Sequence, residues 1–207
     1  SASSNVVTAS VLKSPAGHAA YLNFQSNGNT IQSSTMTGNS ANAAVNLNVV
    51  FNSTITGSYI SNPGGYAVFV NASSNTLSLS TFTSNSATLA ALHVAVGASY
   101  NLVSQSYAVN PDYQAVIIDA PYNTVSRSSF TSNSTLSALF VGASSNVVAQ
   151  SYASNPAGYG LFLNAGYNSI SQSTFTSNAA AYRAIFLNAA YNTLFRIMAS
   201  NPAGIAV

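Results

Sequence analysis

The chain has 207 residues, of which 47% are hydrophobic and only 3% charged, with a formal net charge of +2. Typical domains carry about a quarter charged residues, so this surface has to be made of Ser, Thr, Asn, Ala and Gly. That balance argues against nucleic-acid binding by counterion release and against a solvated, disordered coil.

No apolar run approaches the roughly 18 residues of a spanning helix, and no basic start followed by an apolar core reads as a signal sequence. The chain is therefore expected to be a mature or excised form. With no cysteine, nothing is read about redox compartment.

Taken in chain order, one short unit recurs. An aliphatic residue stands two positions after an Asn at Val7, Ile31, Ile55, Leu77, Val103, Val125, Val148, Ile170 and Leu194, with Ser53 replacing Asn once. Three residues after each comes Ser, from Ser10 to Ser173, with Ile197 last. Next runs a mostly aromatic column: Val11, Met36, Tyr59, Phe82, Tyr107, Phe130, Tyr152, Phe175 and Met198. A second Asn column holds Asn39, Asn62, Asn85, Asn110, Asn133, Asn155, Asn178 and Asn201. Each unit closes on a strand-like run such as AVFVN (67–71) or AIFLN (184–188).

No 3.6-residue apolar period is present, β-branched and aromatic residues come in short runs, and Asn, Gly and Pro punctuate every unit. Nine short-strand units at a nearly constant step predict an all-β, single-domain parallel β-solenoid over residues 1–207. Three strands per coil and ~4.8 Å between coils make a rod roughly 40 Å long. Asn tolerates tight corners and can bond its copies along the rod, so both Asn columns are expected to stack as ladders. The aromatic column is expected to fill the interior.

Units alternate. Even ones read Ser-Thr-Phe/Met-Thr-Ser/Gly-Asn (34–39, 80–85, 173–178) or SSFTSN (128–133). Odd ones read Ser-Tyr-x-x-Asn-Pro and look one residue shorter. Alternating Phe and Tyr is thus expected to be an alternation of packing.

Asn-x-aliphatic-x-x-Ser followed by an aromatic and a second Asn resembles the right-handed parallel β-helix repeat of pectate-lyase-like proteins, over essentially the whole chain. The resemblance implies a right-handed coil and an extracellular setting. That family spans lyases, hydrolases, adhesins, phage fibres and structural rods, so function has to come from a site.

Candidate chemistry is sparse. Asp112 and Asp119 are the only acids; Asp112 follows Asn110-Pro111 as a turn residue, and Asp119 stands where other units have Asn. Arg127 shares a column with Gln105, Gln150 and Gln172. No catalytic residue, no cofactor and no metal site is expected, calcium included, since calcium needs several oxygen ligands. His18 and His93 fall three coils apart, too far for a metal pair.

Two surfaces stand out. Thr35/Thr37, Thr81/Thr83, Ser129/Thr131 and Thr174/Thr176 form outward hydroxyl pairs similar to those of ice-binding solenoids, interrupted by coils expected to offer Ser58/Ile60, Ser106/Ala108 and Ser151/Ala153. In the closing strand, inward aliphatic neighbours force Tyr21, Phe69, Ile117, Phe140, Phe162 and Phe186 outward. So large an apolar stripe marks a lateral contact, a sugar platform, or a face covered by a loop.

The ends, lacking charged caps, suggest part of a longer array or subunits that stack. The expectation is a non-enzymatic rod in an extracellular or cell-surface filament, fibre or adhesin, self-associating laterally or end to end, without nucleic acid or a membrane-spanning segment. The alternatives are a carbohydrate-binding or carbohydrate-active β-helix, and an ice-binding solenoid.

Overall fold

A computed structural model describes residues 3–207. Among them lie three parallel sheets that wrap one axis, two of nine strands and one of eight. The first sheet runs from Val6–Thr8 to Thr193–Phe195, the second from Val11–Ser14 to Met198–Ser200, and the third from Ala20–Asn23 to Ile185–Leu187. Eight coils have all three sides. The ninth begins its third side at Ile205, which bridges to Arg183.

The first sheet keeps the register expected from the sequence. Val7 pairs with Ile31, Ile31 with Ile55, and so on in unbroken succession to Leu194. These side chains point inward, and those from Ile31 to Ile170 are buried.

The first Asn column forms a ladder, by a different bond from amide-on-amide stacking. The backbone N–H of Asn75 donates to Oδ1 of Asn101, and Asn101, Asn123 and Asn146 do the same to the next Asn, at 2.8 Å throughout. Each Nδ2 turns back to the carbonyl three residues earlier in its own coil, as Asn101 does to Ala98 and Asn123 to Ala120. One side chain thus satisfies a donor in the neighbouring coil and an acceptor in its own corner, both hidden from water.

The Ser column works likewise. Ser106 donates its N–H to Oγ of Ser128, whose hydroxyl donates to the carbonyl of Ser126. This closes the corner between the first and second sheets. There the residue before each Ser is left-handed, including Leu79 (φ 51°), Gln105 (49°), Arg127 (51°) and Gln150 (52°). A left-handed non-glycine costs about 1–2 kcal/mol, offset by the serine bonds on either side of it.

The second sheet corrects the sequence reading by one residue. Tyr59, Tyr107 and Tyr152 pair with Thr81, Ser129 and Thr174, and point outward. The inward column is Met36, Ile60, Phe82, Ala108, Phe130, Ala153 and Phe175, all with 0% exposure. The alternation that matters inside is therefore Phe with Ala, not Phe with Tyr: a ring in one coil spreads over the small residue in the next.

The second Asn ladder is corrected by the same shift. Asn62 stands opposite Ser84, Asn110 opposite Ser132 and Asn155 opposite Ser177. Asn85, Asn133 and Asn178 lie outside on the surface. Odd coils are not shorter in this strand; the coils differ in the loop that follows it.

Candidate functional site

The alternating Asn and Ser of the second sheet pin the loops leading to the third. Asn62 donates Nδ2 to the carbonyls of Ser40, Asn42 and Tyr66. Asn155 reaches the carbonyls of Ser134 and Leu136, and Asn201 those of Ala179 and Tyr182. From the intervening coils, Ser132 donates to the Tyr113 carbonyl and Ser177 to that of Gly158. These loops carry Tyr66, Tyr113 and Tyr182, and Tyr159 opens the third-sheet strand Tyr159–Leu163, so the bonds hold tyrosines beside the outer face of the third sheet.

On that face the expected stripe is present and in register. Tyr21, Asn46, Phe69, His93, Ile117, Phe140, Phe162 and Phe186 pair in succession. Their strand neighbours Val68, Val70, Leu161, Leu163 and Ile185 are buried inside. The stripe is outward but not bare, because Tyr66 and Tyr159 lie on it.

Two aromatic groups result. Tyr66 sits 5.1 Å from Phe69 and 5.4 Å from His93, ring centre to ring centre. Tyr159 stacks on Phe186 at 5.3 Å and touches Phe162 and Tyr182, while Phe162 meets Phe140 edge-on. The Arg183 guanidinium lies 5.3 Å from the centre of the Phe186 ring. Tyr21 stacks on His18 at 4.9 Å and remains half exposed.

His93 Nε2 lies 2.9 Å from Asp119 Oδ2, within hydrogen-bond distance. Its Nδ1 is buried without a partner. Burial pushes the Tyr66 hydroxyl above its ordinary pKa, with Tyr113 and Asp119 adding to the shift. Asp119 does stand in the position of Asn71 and Asn164, at the end of the closing strand. Asp112 is a turn residue whose N–H donates to Asn110 Oδ1. Arg127 occupies the first corner and donates Nε to Gln150 Oε1. The repeat does not reveal the contact of His93 with Asp119, because the two sit at different positions of successive coils.

Thr35, Thr37, Thr81, Thr83, Ser129, Thr131, Thr174 and Thr176 point outward on the second sheet as expected. The coils between them present Tyr59/Ser61, Tyr107/Val109 and Tyr152/Ser154, because Ile60, Ala108 and Ala153 face inward. Tyr59 reaches Thr83 and Tyr152 reaches Thr176, each at 3.3 Å. The hydroxyl ranks are thus crossed by phenols in every second coil from Tyr59 to Tyr152.

A third surface escaped the sequence reading. The residue before each ladder Asn is left-handed, and at four coils it is Tyr: Tyr100, Tyr122, Tyr167 and Tyr191. All four are exposed. Tyr100 stacks on Tyr122 and Tyr167 on Tyr191. The signal was the Tyr-Asn pair repeated at ladder positions.

No group of three or more His, Cys, Asp or Glu that could hold a metal is found among the described residues, and no helix there is long and apolar enough to cross a membrane. No curated protein matches the chain. The family model described as a right handed beta helix region matches residues 43–196. The parallel three-sheet solenoid and this match over most of the chain agree: the chain belongs to the right-handed β-helix family.

Proposed function

We propose that this β-helix is a non-enzymatic structural rod of an extracellular or cell-surface assembly, and that it associates side to side through the outer face of the third sheet. The observation that carries the reading is the aromatic face itself: Phe69, Phe140, Phe162 and Phe186, widened by Tyr66, Tyr159 and Tyr182. Each large apolar side chain removed from water contributes roughly 1.5–3 kcal/mol. The rings are already partly covered, so a contact gains a fraction of that from each. Six charged side chains in the whole chain leave little repulsion to oppose approach. The non-enzymatic part is supported by the dispersal of those charges: Asp112 in a turn, Asp119 against His93, Arg127 and Arg196 at the first corner, Lys13 on the second sheet and Arg183 over Phe186.

The test is sedimentation of the parent beside the double variant Phe140→Ser/Phe162→Ser, with melting curves to check folding. The expected result is a concentration-dependent assembly that the double variant loses. A parent that stays monomeric at high concentration, or a variant that associates equally well, overturns the lateral contact. Turnover of a polysaccharide that His93→Ala abolishes would overturn the non-enzymatic reading.

A further inference from the structure

We propose that the tyrosine corner between the third and first sheets holds a binding site for one planar aromatic ring of the phenol or indole type, walled by Tyr122 and Tyr167 and floored by Ser145. The corner column reads Tyr100, Tyr122, Ser145, Tyr167, Tyr191 in consecutive coils. The ladder bonds of the adjoining residues, Asn101 to Asn123, Asn146, Asn168 and Asn192, fix that order at 2.8–2.9 Å per step. All five corner residues share one backbone conformation, with φ between 60° and 62°, so their side chains leave the rod in the same direction.

Where two tyrosines adjoin, they stack nearly flat. Tyr100 and Tyr122 are 5.3 Å apart with their planes 6° from parallel, and Tyr167 and Tyr191 are 5.1 Å apart at 15°. Between the two pairs, Ser145 leaves out one ring. Tyr122 and Tyr167 then face each other across two coil steps, about 10 Å at ~4.8 Å each. A ring placed midway is about 5 Å from either wall, within the range of ordinary aromatic stacking, and the two tyrosine pairs already show that geometry.

The slot is open to solvent, since Tyr122 is 53% and Tyr167 66% exposed. It also shades its floor: Ser145 is half-buried, whereas Ser74, in the same column with a tyrosine on one side only, is exposed. The Ser145 hydroxyl has no hydrogen-bond partner among the described residues. It is free to bond the O–H or N–H at the inner edge of a guest ring, which selects phenols and indoles over plain hydrocarbons. The slot lies on a different part of the rod from the aromatic face of the third sheet, so its failure would leave the structural reading standing.

Indole is the probe. The chain has no Trp, so fluorescence excited beyond the tyrosine band reports the probe alone. The expected result is a saturable rise in indole anisotropy with the parent protein. Ser145→Tyr fills the slot and abolishes the rise. Ser74→Tyr adds a ring to the same column beyond Tyr100 and leaves it intact. Tyr122→Ala and Tyr167→Ala, both at exposed positions, each weaken binding about five- to tenfold. No saturable signal with millimolar indole overturns the proposal. So does equal binding by Ser145→Tyr, undiminished binding by both alanine variants, or displacement of indole by a simple hexose at equal concentration.

Discussion

Asn123 donates its backbone N–H to the side-chain Oδ1 of Asn146, 2.8 Å away in the next coil. Asn146 returns its own Nδ2 to the carbonyls of Ala143 and Ser144. The side chain therefore locks the corner of its own coil and terminates the corner of the one before it. It is 1% exposed, and the Asn123 N–H it accepts is buried, so water does not replace that bond.

Asn146→Ala removes three hydrogen bonds and strands a buried N–H on Asn123. The expected loss is about 2–3 kcal/mol, read from chemical denaturation. Asn133→Ala is the control: Asn133 lies on the surface rather than in a second ladder, and the change is expected to stay within about 0.5 kcal/mol. Equal losses at the two positions would restore the stacked second column.

Phe130 is fully buried between Ala108 and Ala153. Phe130→Ala is expected to cost about 3–5 kcal/mol through the cavity it leaves. Adding a ring is also expected to harm. Ala153→Phe sets three phenyl groups in consecutive coils, where Phe130 and Phe175 already spread over the alanine, and overpacking costs about 1–3 kcal/mol. A stabilised Ala153→Phe variant, measured by thermal melting, would show that the Phe–Ala alternation is not a packing rule.

Gly158 and Gly57 separate two reasons for glycine. A Cβ on Gly158 would run into the backbone carbonyls of Ser134 and Leu136, in the loop that Asn155 pins. Gly57 occupies the left-handed first corner, where a Cβ meets only ordinary contacts and the other coils carry side chains. Gly57→Ala is expected to cost about 1 kcal/mol, and Gly158→Ala clearly more, with displacement of Tyr159 seen as altered near-ultraviolet dichroism. The reverse order of melting points would contradict the loop geometry.

Tyr66 and Tyr152 are shifted in opposite directions. Burial raises Tyr66, while hydrogen bonds to Ser154 and then Thr176 lower Tyr152. A raised folded pKa means that the native state holds its proton longer than the unfolded chain. The stability it contributes is complete below about pH 10 and falls as pH rises through the folded value. Tyr66→Phe is expected to flatten the loss of stability above about pH 10 and to remove a late-ionising phenol from the absorbance titration. Tyr152→Phe is expected to remove an early one. A Tyr66→Phe protein whose alkaline melting curve matches the parent would refute the assignment.

The repeat was legible because a solenoid writes its contacts at one period. Residues one coil apart in sequence are neighbours in space, so the anchors from Val7 to Leu194, the first Asn ladder and the outward stripe from Tyr21 to Phe186 could be read as columns. The sequence could not decide between two ways of aligning the second strand. Matching Asn62 to Asn85 pairs like with like, but shifts the strand by one residue and turns every side chain over. Only the folded chain decides, because the Ser ladder fixes where that strand starts: Ser80 N–H on Ser106 Oγ puts Phe82 over Ala108 and leaves Tyr107 outside. What lies across the loops was equally hidden. Tyr66 on Phe69, His93 on Asp119 and the empty place at Ser145 depend on how side chains meet between coils. That is set by loop path and ring orientation in three dimensions, and neither has a period to read.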